Sequence, residues 1–164
     1  MTRAATAGVY VGPPGVRSDP LGGGLLIVAG LLGLVQVVLP WLAVGDGLAG
    51  TYSGWQWFQA GRDQSLDLAR TVATYASPLV AIIGGSLVLL GLAALIPMDH
   101  RPIGAVAMLL SIVAALLAIW WVLATRTPRG GLGPLLEATR IGWYLFAATG
   151  VLGLVGSAKI LASG

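Results

Sequence analysis

PWLAVGDGLAGTYSGWQWFQAG, Pro40 to Gly61, decides how the rest of this chain is read. It is the one long stretch that is neither lipid-soluble nor featureless, and it holds Trp41, Tyr52, Trp55, Trp57 and Phe58. Asp46-Gly47 is a strong two-residue turn signal, because both positions tolerate positive φ. β-forming residues flank it in Trp41–Gly45 and Leu48–Trp55, so residues 41–58 are expected to form a β-hairpin. A hairpin alone is marginal in water. It must therefore lie on another surface, either its own helix ends or a second protein. Residues 63–75, DQSLDLARTVATY, read as a short helix leading to Ser77-Pro78.

Outward from this segment the chain is apolar. Four runs, Leu21–Leu39, Pro78–Ile96, Ile103–Ala124 and Ile141–Ala162, each hold 19 to 22 residues without Asp, Glu or Arg. About 20 helical residues cross a hydrocarbon core of about 30 Å. Composition agrees: 57% of the 164 residues are hydrophobic and 9% are charged, against about 25% charged in a soluble domain. The expected fold is an all-α membrane protein, a bundle of four transmembrane helices at about 20–39, 78–96, 103–124 and 134–162. A small extracytoplasmic β-hairpin cap comes from the first loop, residues 40–77. Residues 1–18, with Gly12-Pro13-Pro14-Gly15, read as a flexible cytoplasmic tail. The first run is longer than a signal-peptide core and lacks a small-residue cleavage site after it, so it reads as a retained helix.

Proline marks the expected starts: Asp19-Pro20, Ser77-Pro78, Arg101-Pro102 and Gly133-Pro134. Its missing N–H is harmless in a first helical turn, and Asp19 and Ser77 are placed to be N-caps. Pro97 closes the second helix, and the short connector Met98–Arg101 makes helices two and three an antiparallel hairpin. Small residues let membrane helices approach closely. Ala81 and Gly85 are the expected seam of the second helix, Ala107, Ser111 and Ala115 of the third, and Gly150, Gly153 and Ser157 of the fourth. Gln36, the strongly polar residue deep in a run, is expected to hydrogen-bond between helices. Lys159 is expected to snorkel to the surface.

Charge gives little orientation. With the N-terminus inside, Arg3, Arg17, Arg101 and Lys159 face Arg62, Arg70, Arg126, Arg129 and Arg140 across the membrane. Arg17 flanks the start of the first helix, so N-in and C-in in the plasma membrane is the expected topology. That choice puts all six Trp on the outer side, where Trp120, Trp121 and Trp143 end or begin helices near Trp41, Trp55 and Trp57. Aromatic belts ordinarily decorate both interfaces. A one-sided set points to a folded cap or a partner surface, with Trp55 or Trp57 packed on Trp120, Trp121 or Trp143.

The residue types exclude several chemistries. Cys is absent, which removes thiol nucleophiles, disulfide exchange and cysteine metal sites. No intramembrane carboxylate is present to couple protons. The single His is His100, read as a solvated turn residue beside Asp99 rather than a haem ligand. Asp63 and Asp67 read as helix-start carboxylates rather than a cation site, and Arg126 and Arg129 as a solvated loop. A net charge of +3 is too small and dispersed for a nucleic-acid surface. No catalytic residue, metal or cofactor is expected.

Four helices, a long first outer loop and the pattern Trp41…Gly54-Trp55 resemble the claudin-type arrangement, in which an outer loop forms a small sheet over a four-helix bundle. The paired cysteines of claudins are missing here, so the resemblance implies architecture alone. Leu39-Pro40-Trp41 with Ser53-Gly54 later in the loop is similar to small four-helix membrane proteins of actinobacteria. These include accessory subunits of mycobacterial Mce lipid importers. The expected function is a non-enzymatic accessory or scaffold subunit of an envelope transport complex, with lipid as the implied cargo, partnered by the bilayer and other integral membrane proteins. The alternatives are a homo-oligomeric carrier of lipid or small apolar molecules, using Gln36 and the aromatic cap, and, last, a lipid-modifying enzyme.

Overall fold

The computed structural model describes residues 18–43, 50–64, 67–125 and 137–163. The described chain is mostly helical, with five helices and a two-stranded antiparallel sheet. In order these are α1 (Pro20–Val35), β1 (Pro40–Ala43), β2 (Thr51–Ser53), α2 (Gly54–Arg62), α3 (Leu68–Ala94), α4 (Arg101–Thr125) and α5 (Ile141–Ser163). The helices α3, α4 and α5 are each long and apolar enough to cross a membrane. The tail 1–17, the turn Asp46-Gly47, Arg126, Arg129 and Pro134 lie outside the described residues.

The four longer helices pack side by side in a ring, α1 on α3, α3 on α4, α4 on α5 and α5 back on α1. Their seams are made of small residues. A Cβ built on Gly23 would stand 2.7 Å from the carbonyl oxygen of Gly91, and one on Gly91 2.7 Å from that of Gly23. Seven residues along each helix the relation repeats: Gly30 abuts the Gly84 carbonyl, and a Cβ on Gly84 would lie 2.6 Å from the Gly30 oxygen. Only glycine permits such backbone contact, and membrane helices associate by this kind of packing. Between α4 and α5, Gly150 sits against the backbone of Ala115 and Gly153 against Ser111. Ser157 contacts Met108 at 3.4 Å, and Ala107 and Ser111 are buried. Leu26 packs on Gly156 and Thr149 on Gly33 between α1 and α5. Large aliphatic residues point outward instead, among them Val28, Leu31 and Val38 on and just after α1, Ile82 and Leu89 on α3, and Leu109 and Leu116 on α4.

The α3 seam differs from the expected one. Nothing lies within 4 Å of a Cβ on Gly85, and Ala81 is only half-buried. The contact face runs through Val80, Gly84, Leu87 and Gly91. A shift of one residue turns a helix by about 100°, which is the whole error.

Helix boundaries differ too. Ser77 does not cap a helix; Asp67 does, accepting from the Arg70 N–H at 2.8 Å. From there α3 runs 27 residues through Pro78 and takes in Leu68–Tyr75 of the separate helix expected at 63–75. Asp63 ends α2 rather than starting a helix. Membrane helices tolerate an interior proline when neighbours satisfy the freed backbone groups. Pro78 frees the Thr74 carbonyl four residues back; next to the proline, the Gln36 amide donates to the Ser77 carbonyl at 3.1 Å. At its far end α3 turns tightly into α4. His100 is buried there, 4% exposed, with its Nε2 2.9 Å from the Ile96 carbonyl. It is therefore not the solvated turn residue expected from the sequence. Helix four does not run unbroken from residue 134, because Thr139 makes an isolated bridge to Leu42 and α5 begins at Ile141.

The 16 residues of α1 reach about 24 Å at about 1.5 Å each. The expected first run continued to Leu39, but residues 36–39 form a turn. Pro40 has no N–H and disfavours helix at the residue before it. Three carbonyls at the end of α1 and in the turn after it are each met by a different group. Gln36 Nε2 donates to Gly33 O at 3.1 Å, Trp41 Nε1 donates to Gln36 O at 2.9 Å, and Trp55 N donates to Val37 O at 2.9 Å.

Candidate functional site

The chemistry-bearing residues gather at two ends of the ring. At one end, β1 and β2 pair with Leu42 opposite Tyr52 and Ala43 opposite Thr51. A register irregularity falls between Pro40 and Leu42, at Trp41. On the other edge of β1, Arg140 N donates to Trp41 O at 2.7 Å. The expected second strand, Leu48–Trp55, is shorter: β2 stops at Ser53. Ser53 and Gln56 form a capping box, with Gln56 N donating to Ser53 Oγ at 3.2 Å and Ser53 N to Gln56 Oε1 at 2.9 Å. That reciprocal pair starts a helix, so Trp55, Trp57 and Phe58 stand on α2 and not on a strand.

Trp41, expected in the cap or on a partner surface, stands on β1 of the cap and lies inside the protein. It has 0% exposure and is the centre of the aromatic end. Its ring lies 4.8 Å from Phe146 and 5.8 Å from Trp121. Two glycines make room for it: a Cβ on Gly142 would come within 2.5 Å of its Cδ1, and one on Gly54 within 2.9 Å of its Nε1. So Trp41 and Gly54, two parts of one sequence pattern, are in direct contact. Trp121 is equally buried and cannot be a partner surface either. It links Trp57 at 6.0 Å and Trp143 at 6.1 Å, both half-buried, and Trp143 meets Tyr144 at 5.3 Å.

The remaining aromatics form an outer edge. Trp55 is 44% exposed and touches Phe58 at 5.2 Å, its neighbour three residues along α2. Phe58 touches Tyr75 of α3 at 5.2 Å. Trp120 is exposed and donates its N–H to Ala69 O in the first turn of α3 at 3.1 Å. Tyr52 is also exposed. The expected contact between the first loop and the ends of the later helices is thus made by Trp57 on Trp121, and Trp55 stays outside it.

Gln36 is buried between α1 and α3. Its amide nitrogen serves Gly33 O and Ser77 O, and its oxygen stands 3.4 Å from Ser77 Oγ. Its polar atoms are thereby engaged within the helices.

At the opposite end, Asp19 was expected only as a cap, which it is, accepting from Gly22 N at 2.9 Å. It also closes the ring. Its backbone N–H donates to Ala94 O at 3.1 Å, Ser163 Oγ donates to its carboxylate at 2.5 Å, and Lys159 Nζ lies 3.5 Å away. Lys159 therefore pairs rather than only snorkelling. Burial pushes the Asp19 carboxyl up, but the Ser163 hydroxyl, the Gly22 N–H and the Lys159 ammonium together hold it below its ordinary value. Among the described residues no three of His, Asp and Glu stand close enough together to hold a metal ion.

Compared with known proteins, the chain matches no family model, no curated protein and no solved structure.

Proposed function

We propose that the chain is a four-span integral membrane protein acting as a non-enzymatic accessory or scaffold subunit of an envelope transport or assembly complex. The fourth span is α1 with the turn that follows it. Its outward residues Leu21, Val28, Leu31 and Val38 are as apolar and exposed as those of the three longer helices, and uncovered surface of that kind suits lipid. Both termini then lie on one side, with Arg17 placing that side inside.

The observation that supports the scaffold reading is the two-faced α2. Trp57 packs the inner face of α2 into the aromatic core, while Trp55 faces outward against Phe58, which in turn meets Tyr75. Rigid Trp and Tyr side chains are favoured anchors at protein interfaces. Leu39-Pro40-Trp41 and Ser53-Gly54 resemble small four-helix membrane proteins of actinobacteria, one kind of which serves lipid importers, and this suggests lipid transport as the context. A tagged protein purified from its native membrane in mild detergent should bring down a stoichiometric membrane partner, and Trp55→Ala should abolish that recovery. A wild-type protein that runs alone contradicts the reading.

A further inference from the structure

Among the described residues, three buried indole N–H groups, those of Trp57, Trp121 and Trp143, have no hydrogen-bond partner. The contrast with their neighbours is sharp. Trp41 donates to Gln36 O at 2.9 Å and Trp120 to Ala69 O at 3.1 Å. Buried donors in native proteins are nearly always paired, and an exception calls for a physical reason such as a missing ligand or water. Here three exceptions are contiguous. Their rings form one run, Trp57 to Trp121 at 6.0 Å and Trp121 to Trp143 at 6.1 Å. They come from three separate elements, α2, α4 and α5, so no single local distortion explains them.

The chemistry of the run selects an acceptor. All three donors are neutral and set among aromatic faces. An anionic phosphate is ordinarily gripped by Arg or Lys, whereas neutral indoles suit a neutral carbonyl oxygen. Indoles gather at the headgroup level of a bilayer, where the ester carbonyls of acyl lipids also lie. Trp121 is wholly buried and makes the floor, while the rings of Trp57 and Trp143 reach the surface with their N–H atoms covered. We propose that Trp57, Trp121 and Trp143 form a binding site for the two ester carbonyls of a diacyl lipid. The proposal rests on this end of the helices lying at a membrane interface and not on the accessory-subunit role.

The test uses the full chain, ¹⁵N-labelled at tryptophan, in an alkyl maltoside that carries no ester. Short-chain diacyl phosphatidylcholine is titrated against its dialkyl ether analogue while the six indole N–H signals are followed. Trp55→Phe, Trp57→Phe, Trp120→Phe and Trp143→Phe assign four of them. The ester lipid should move three signals downfield and slow their exchange, two of them those of Trp57 and Trp143, with Trp120 unmoved. The ether analogue should leave all in place. Trp57→Phe and Trp143→Phe should each delete one moving signal and weaken binding about two- to tenfold, the range for one neutral hydrogen bond. An equal response to the ether lipid would make the headgroup phosphate the acceptor and overturn the proposal. So would an absence of any selective movement, or signals already at their paired positions before lipid is added. Should a substitution unfold the protein, the diacyl against dialkyl comparison on the wild type still decides.

Discussion

A methyl group added at Gly84 tests the packing account against its neighbour in sequence. In Gly84→Ala the new Cβ falls 2.6 Å from the Gly30 oxygen and 3.1 Å from the Gly33 Cα. Both contacts are backbone, so no side chain can swing aside. Reaching an ordinary contact of about 3.4 Å requires α1 and α3 to separate by roughly 0.8 Å, and a gap of that size forfeits a quarter to a half of each dispersion contact along the seam. Overpacking of this kind costs about 1–3 kcal/mol. Gly85→Ala is the control, because it gains the same alanine helix propensity and meets nothing within 4 Å. The difference between the two variants therefore isolates the steric term. Reversible unfolding in mixed detergent micelles, titrated with sodium dodecyl sulfate and followed by circular dichroism, should place Gly84→Ala about 1–3 kcal/mol below Gly85→Ala. Coincident unfolding curves would refute the glycine seam.

Trp41→Ala should destabilise by about 3–5 kcal/mol, as a buried large-to-small change, while Trp55→Ala stays within about 0.5 kcal/mol of wild type in the same unfolding assay. Gln36→Leu should cost about 1 kcal/mol, since it strips a partner from the Ser77 carbonyl beside Pro78; equal stability would show that water takes over. Asp19 provides a pH dependence. Its carboxyl is held below its ordinary value in the fold, so its contribution is complete above about pH 4 and is lost as pH falls through the folded value. Asp19→Asn should lower stability at neutral pH and flatten that acid limb, measured as unfolding midpoints across pH 2–7.

How far the sequence could be read varies from seam to seam. The α4–α5 contact was legible because Ala107, Ser111, Ala115, Gly150, Gly153 and Ser157 repeat at helical spacing on the two helices. On α3, Gly84 and Gly85 are adjacent, and spacing from Ala81 selected the wrong one. The decisive signal is a seven-residue interval shared by Gly23 and Gly30 on one helix and Gly84 and Gly91 on the other, and it has meaning only once two helices are compared. Pro78 was read as a helix start by a rule that holds where water competes. Inside the packed ring the helix continues through Pro78, and Gln36 hydrogen-bonds the Ser77 carbonyl next to it. Ser53 and Gln56 carried a capping box that the β-forming residues around them obscured. Trp41 illustrates a harder limit. Nothing in composition separates a buried Trp from an interfacial one, although Pro40 beside it creates the orphaned carbonyl that its indole fills. Asp19 and Lys159 are 140 residues apart, so their pairing needed the ring to be closed first.

The central claim is that α1 crosses the membrane with α3, α4 and α5. The chain has no native cysteine, so single cysteines at Thr2 and Gly164 report cleanly through a membrane-impermeant thiol reagent applied to intact cells. Four spans predict that both positions are shielded and that both become labelled when the membrane is permeabilised. Labelling of one terminus and not the other in intact cells would mean an odd number of spans, leaving α1 outside the bilayer and contradicting the account.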